Sequence, residues 1–451
     1  MVSTVKNESR VLRNLGGGLV LRRSTAADTD ALVDFNARIH YERDDGKLEE
    51  RVGAWTRDLM EKPHPTFNEG DFTIVEDTAQ RKIVSTMNLI SQTWTYAGIP
   101  FGVGRPELVG TLPEYRNRGL VRAQFDLIHQ WSAERGELVQ AITGIPYFYR
   151  LFGYEMALSL GGGRAGFKPF VPRLKDGESE PYLVRPATVE DLPYISDLYA
   201  SNARRYLVSS VRDQSHWLYE LSGRSPLNVN RFEMRVIETA AGERVGFLVH
   251  PDYRWGSMLD ATVYELNPGL SWEAITPPVI RYLQVTGEAL PAEHGDENWE
   301  SFGFWLGLEH PVYQVLRERL PRVRSPYAWY LRVADLPGFL RHIVPVLEGR
   351  LQESPLAGHT GEIKITFYRN GLRLVFEQGR LAEVQAWEPA PMGHSGEAAF
   401  PGLTFLQLLF GYRSLDELKY AFPDCWTSSE TVHALLDCLF PKQPSNVWPI
   451  S

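Results

Sequence analysis

Apolar residues recur at helical spacing in two places that also share what precedes them. Leu32, Phe35 and Ile39 follow Thr25-x-x-Asp28, and Ile195, Leu198 and Tyr199 follow Thr188-x-x-Asp191. Each stretch opens on a short apolar strand pattern, Val20 to Arg23 and Leu183 to Pro186. Each Thr is placed as a helix N-cap, and each Asp falls in the first turn, where the helix dipole favours negative charge. The frame Arg-x-x-Thr-x-x-Asp therefore recurs 163 residues on, in register with both stripes, and indicates a duplicated strand-to-helix unit. Another stripe, Val121, Phe125, Ile128 and Trp131, predicts a helix ending near Arg135 at Gly136. Strand patterns flank it at Leu108 to Leu112 and Leu138 to Ile142.

The C-terminal pattern is different. An amphipathic helix is predicted over Phe339 to Leu351. Period-two alternation follows at Ile363 to Phe367 and Leu372 to Phe376, around Asn370-Gly371, and predicts a hairpin. Leu381 to Trp387 reads as a third strand, and helices are expected at Leu403–Phe410, Ser414–Phe422 and Ser429–Leu439. The tail from Pro441 holds Pro441, Pro444 and Pro449 and cannot be helical.

The chain has 451 residues, which at roughly 150 per domain gives about three domains. The patterns place them at 17–170, 182–337 and 338–451, with a polar linker rich in Pro, Lys and Glu over Lys168 to Pro181. The Gly16-Gly17-Gly18 run reads as a flexible lead-in. The expected fold class is α+β or α/β, built on mixed sheets. A net charge of −9 argues against a general nucleic-acid binder, which needs a basic surface. Leu403 to Phe410, the longest apolar stretch, is too short to cross a membrane, and the first residues lack the apolar core of a signal peptide. With only Cys425 and Cys438, a reducing, cytoplasmic location is expected. No CxxC or HExxH occurs, so no metal is expected.

The chemistry concentrates in Pro106 to Tyr154. Gly119 lets backbone approach a ligand at a helix start, where unpaired N–H groups and the dipole attract anions. Arg116, Arg118 and Arg122 add charge to the same end, and together these features predict a pyrophosphate cradle. The acidic residues Asp44, Asp45, Glu49 and Glu50 read as a solvated face that would attract cationic acceptors if it borders the site.

Arg116-x-x-Gly119-x-Val121 resembles the acyl-coenzyme-A loop of the GCN5-related N-acetyltransferases, with Val121 where the family has Gly or Ala. The form Arg-x-Arg-Gly-Leu-x-Arg, followed by the family's Tyr-x-Arg-x-Phe-Gly-Tyr frame, here Phe148-Tyr149-Arg150-Leu151-Phe152-Gly153-Tyr154 with Phe148 at its first position, resembles the enhanced intracellular survival branch. That branch has two tandem acetyltransferase-like units and a domain similar to sterol carrier proteins. The second unit here lacks the loop motif, which implies a degenerate copy. The resemblance implies acetyl transfer from acetyl-CoA to a primary amine, on a small molecule such as an aminoglycoside or polyamine or on a lysine-like peptide group. It implies that backbone groups of Val109, Gly110 and Thr111 bind the acyl-pantetheine arm. Arg116, Asn117, Arg118, Gly119, Leu120 and Val121 would hold the pyrophosphate. It implies Tyr149 as general acid, the carboxylate of Ser451 as general base, and a homo-oligomer, hexameric in the resembled branch. The rival readings are a non-catalytic acyl-CoA-binding sensor and an apolar-ligand carrier working through the C-terminal domain.

Overall fold

The computed structural model describes residues 11–41, 48–292, 298–390 and 396–448. In the N-terminal segment, β1 (Val11–Gly16) and β2 (Leu19–Arg23) form a hairpin. Gly17 and Gly18, both at positive φ, make its turn, so the glycine run is a tight reversal and not a flexible lead-in. Helices α1 (Thr29–Ile39) and α2 (Glu50–Glu61) lead to β3 (Phe72–Asp77), β4 (Lys82–Tyr96) and β5 (Ile99–Thr111). Then come α3 (Leu120–Glu134), β6 (Val139–Ile142) and β7 (Glu155–Leu160). Ala97 and Gly98, at φ 46° and 88°, join β4 to β5 by the two-residue turn whose twist suits paired strands.

The N-terminal segment closes with β8 (Gly163–Phe167), and the middle segment contains β9 (Tyr182–Pro186), α4 (Leu192–Ala203), β10 (Val208–Ser210) and α5 (Gln214–Leu218). It continues with β11 (Phe232–Thr239), β12 (Arg244–Pro251), β13 (Met258–Ala261), β14 (Val263–Leu266) and α6 (Trp272–Ala289). It ends with β15 (Ser301–Phe304), α7 (Val312–Val315), β16 (Arg322–Arg324) and β17 (Tyr327–Arg332).

Strand pairing crosses the order of the chain. The first sheet runs β1-β2-β3-β4-β5-β6-β17-β7, with β10 also on β4. So β17, from the end of the middle segment, lies between β6 and β7. In return, β8 pairs with β15 and β16, in a sheet ordered β13-β15-β8-β16. The other middle sheet is β14-β12-β11-β9.

The duplicated frame has the same local structure twice. Asp28 accepts from the Thr25 backbone N–H and hydroxyl, and Arg22 forks onto both its oxygens at 2.8 and 2.9 Å. Asp191 does the same with Thr188, and Arg185 forks onto it at 2.7 and 2.9 Å. Each arginine also reaches a carboxylate on the neighbouring strand, Glu76 on β3 and Glu238 on β11. The Thr hydroxyls thus donate to the Asp side chains, and the Arg of the frame is part of the start of the helix.

The C-terminal segment starts with two helices, α8 (Leu336–His342) and α9 (Val344–Gln352), where the periodicity predicts one. Pro345 explains the break: it has no N–H and its ring excludes the carbonyl four residues back. The hairpin is present as β18 (Gly361–Thr366) and β19 (Gly371–Glu377), followed by β20 (Arg380–Trp387) and β21 (Ala398–Ala399). Then α10 (Phe405–Leu409), α11 (Leu415–Ala421), β22 (Trp426–Thr427) and α12 (Glu430–Leu439) complete it. Its apolar face is filled: Phe405, Leu408, Leu409 and Phe410 share one core with Trp94, Phe101 and Trp329 of the first sheet. Among the described residues no helix is long and apolar enough to cross a membrane.

Candidate active site

The site begins where β5 and β6 part. They pair in parallel only at Val103–Val139 and Gly104–Gln140. Beyond Gly104 they diverge, and a cleft of about 730 Å³ opens between residues 107–111 and 142–145. A β-bulge opposite Thr86–Asn88, with Leu108 at φ 50°, bends β5 at the opening. The two faces of the sheet differ. On one, Phe125, Ile128 and Trp131 of α3 pack on Met87 and Leu89. On the other, Leu32 and Phe35 of α1 pack with Ile90 and Leu108. Gly110 allows this close approach, since a Cβ there would lie 2.8 Å from Ile39.

The start of α3 forms one wall of the cleft. Gly119 sits in the left-handed region at φ 76°, ψ 8°, and Asn117 is also at positive φ. No side chain caps the helix, and the first backbone bond to the turn is Ala123 N–H to the Gly119 carbonyl. Among the described residues, no acceptor meets the N–H groups of Asn117 to Arg122. Arg116, Arg118 and Arg122 line the same wall; Arg116 and Arg118 donate to the Thr111 and Glu114 carbonyls, and among the described residues none of the three forms an ion pair. Arg118 stacks on Tyr115 and Arg122 on Phe152, at 4.8 and 5.2 Å, which keeps both guanidinium groups at the wall. Free N–H groups, a helix dipole and cations in excess of carboxylates make a site for a polyanion such as a pyrophosphate. Val121 also lines the cleft. The backbone of Val109, Gly110 and Thr111 edges it, while the Thr111 hydroxyl is turned to Ser85 at 2.7 Å.

Tyr149 lies in a short 3-10 turn, Phe148–Phe152, at the other wall. It is 4% exposed, among Phe125, Tyr154 and Tyr330. Its hydroxyl is next to Gly144, where a Cβ would stand 3.2 Å away, and has no hydrogen-bond partner among the described residues. Burial, then the negative charge of Glu107, pushes its phenol well above the usual value. The group is therefore a neutral O–H donor at physiological pH.

Two further residues at the cleft carry no motif in the sequence. His40 follows α1 in the wall opposite α3, and its Nε2 is buried without a partner among the described residues. Burial lowers its imidazole to about 4, so it is neutral at pH 7. Glu107 also lines the cleft and is ion-paired with buried Arg105. His40 is only the residue after an apolar stripe, and Glu107 sits in a strand pattern; neither has a spacing that marks it.

The tail runs over the middle segment towards this region. Pro444 accepts from Leu207, Asn446 donates to Val208, and Trp329 donates to the Val447 carbonyl at 3.0 Å. Arg212 reaches the Trp448 carbonyl, and Trp448 packs edge-on against Phe232. Arg105 lies over the Trp329 ring at 5.3 Å, so Val447 is one indole away from the Arg105–Glu107 pair. Ser451 lies outside the described residues, as do Asp44 and Asp45.

In the middle segment, α6 starts differently. Ser271 caps it by accepting from the Ala274 N–H, and Glu273 occupies its first turn. Trp272 packs there on Tyr264 and His310. That helix start has a satisfied donor and an acidic group where α3 has free donors and arginines.

Comparison with known proteins agrees with this geometry. The acetyltransferase (GNAT) domain family matches residues 21–157. Three solved structures similar over nearly the whole chain are a probable N-acyltransferase from Enterococcus faecalis, a GCN5-related N-acetyltransferase from Kribbella flavida and Eis1 from Mycobacterium abscessus. The first is 14% identical, covering 95% of this chain and 98% of its own, with a TM-score of 0.64. The second is 18% identical, covering 95% and 97%, with a TM-score of 0.60. The third is 14% identical, covering 95% and 99%, with a TM-score of 0.57. At these identities the likeness is one of fold. No curated protein matches the chain. The family match is thus to residues 21–157, the part of the chain that builds the cleft.

Proposed function

We propose that the protein transfers an acetyl group from acetyl-CoA to a primary amine of an aminoglycoside, polyamine or lysine-like acceptor, by direct attack in a ternary complex. The observation that carries this is the uncapped start of α3, with three arginines that meet no carboxylate among the described residues, at a splayed strand pair whose far wall presents a buried phenol. The pyrophosphate would rest on Arg116, Asn117, Arg118, Gly119, Leu120 and Val121. The pantetheine arm would bond to the backbone of Val109, Gly110 and Thr111, and the acceptor would enter from the α1 face. Residues 17–170 would form this unit and 182–337 a degenerate copy. Residues 338–451 would form a sterol-carrier-like domain whose tail serves the first unit.

The amine nitrogen attacks the thioester carbonyl carbon and forms a tetrahedral oxyanion. Its collapse breaks the carbon–sulfur bond, and Tyr149 gives its proton to the departing thiolate. The Ser451 carboxylate takes the proton from the amine. The tail supports this role: it is anchored to Trp448, and three residues span at most about 10 Å beyond it. Holding both reactants in line would supply much of the rate.

The test is free thiol release from acetyl-CoA with polyamines, aminoglycosides, a lysine peptide and arylalkylamines. Release that depends on one amine class would support the reading and name the acceptor. No release with any amine, while acetyl-CoA still raises the melting temperature, would favour the sensor.

A further inference from the structure

The turn that carries Tyr149 is held by a strand from elsewhere in the chain. Strand β17 is inserted between β6 and β7, pairing with Ile142 on one side and with β7 on the other. The loop 143–153 therefore has to pass over β17. Three β17 side chains brace it. The Tyr327 hydroxyl donates to the Gly144 carbonyl. The Tyr330 hydroxyl accepts from the Tyr147 N–H at 3.0 Å. Arg332 donates to Gln140 at 2.7 Å and lies beside Gly153, where a Cβ would be 3.6 Å from its Nε.

The braced backbone is of a kind that needs holding. Tyr147 is at φ 67°, the left-handed region, which is costly for a bulky aromatic residue. Its side chain is 67% exposed, so packing does not keep it there. The hydrogen bond from its N–H to Tyr330 is a contact that does. Tyr147 is also the N-cap of the turn that begins at Phe148, so its conformation sets where Tyr149 points. The Tyr330 ring in addition packs at 6.0 Å from the Tyr149 ring and is itself only 6% exposed.

We propose that Tyr330, with Tyr327 beside it, is a positioning residue for the reaction: the exchanged strand fixes the Tyr147 backbone and thereby aims the Tyr149 hydroxyl at the thioester sulfur. This rests on the role of Tyr149 given above. It also gives the middle segment a part in catalysis that requires no cofactor site of its own, since its last strand completes the wall of the cleft.

The test uses the full chain and the amine that releases thiol fastest in the panel. Tyr330→Phe keeps the ring and removes the acceptor oxygen. We expect kcat to fall roughly tenfold, the size of effect of one lost hydrogen bond. Acetyl-CoA affinity and melting temperature should stay close to those of the parent protein, which separates positioning from general destabilisation. Tyr327→Phe, at a half-exposed position that tolerates change, should lower kcat by less. In a Tyr149→Phe background, Tyr330→Phe should have no further effect, because there is no longer a proton donor to aim. Unchanged kcat in Tyr330→Phe, or a full additional loss in the double variant, would overturn the proposal while a slow Tyr149→Phe left the acid assignment standing. A fully active Tyr149→Phe enzyme would overturn both, and that variant alone would reveal it.

Discussion

Tyr149 combines two properties that usually exclude one another: it is buried among rings, yet its hydroxyl faces a cleft with no partner among the described residues. A core tyrosine normally finds a hydrogen-bond partner. The missing partner is what a donor to a transient thiolate requires. Tyr149→Phe keeps the ring packing and is expected to lower kcat about 100-fold, the usual range for a general acid, with acetyl-CoA affinity nearly intact. The sign of the pKa shift gives a second expectation. Burial raises the phenol above its ordinary value of about 10, so the acid form persists through neutral and mildly alkaline pH. A profile of kcat against pH should show no descending limb below about pH 10 from this group. A fall centred near pH 8 would assign the acid elsewhere. His40 gives no limb near 6.5 either, because its imidazole takes a proton only near pH 4.

At the scale of elements, what was legible followed from local chemistry. The Arg-x-x-Thr-x-x-Asp frames, the α3 stripe ending at Gly136 and the Asn-Gly hairpin each carry their signal within a few residues, and each is an element of the fold. The cleft start at Arg116 to Arg122 was legible for the same reason. The Tyr327 and Tyr330 braces were not, because they lie more than 170 residues from the loop they hold and sit in an ordinary strand pattern. The α8–α9 break was legible through Pro345 but is outweighed by the stripe unless proline is given priority. The duplicated frame also has a measurable consequence. The Arg185 fork holds Asp191 down to about 2, below its ordinary 3.8. A depressed carboxylate contributes stability that is present above about pH 4 and lost as pH falls through 2. Counting the partial exposure of Arg185, Asp191→Asn should cost on the order of 1–2 kcal/mol at pH 7. In urea unfolding the gap between variant and parent should narrow steadily below pH 4. A gap that does not change with pH would mean that Asp191 contributes only through geometry.

For the whole molecule, the question is whether its parts can unfold separately. Two features say that they cannot. Strand β17 is inside the first sheet and β8 inside the middle one, so neither segment can open without pulling a strand from the other. The core of the C-terminal segment is continuous with that of the first sheet. Phe339 meets Phe101 at 5.3 Å and Tyr96 at 6.0 Å, and the Tyr96 hydroxyl donates to the Leu409 carbonyl at 2.8 Å. Removing residues 338–451 would expose Trp94, Tyr96, Phe101 and Trp329 together, a contiguous apolar patch of the kind that drives aggregation. The thermal unfolding of the full chain should therefore be one cooperative heat-capacity transition, although a chain of this length would ordinarily show several. Binding of acetyl-CoA in the cleft should move that single transition as a unit, since a ligand that binds only the folded state stabilises everything coupled to it. Two resolved transitions, of which acetyl-CoA shifts only one, would mean that the exchanged strands and the shared core couple the segments weakly. A single shifted transition would mean that the middle and C-terminal segments are coupled to the cleft and help hold its walls in place.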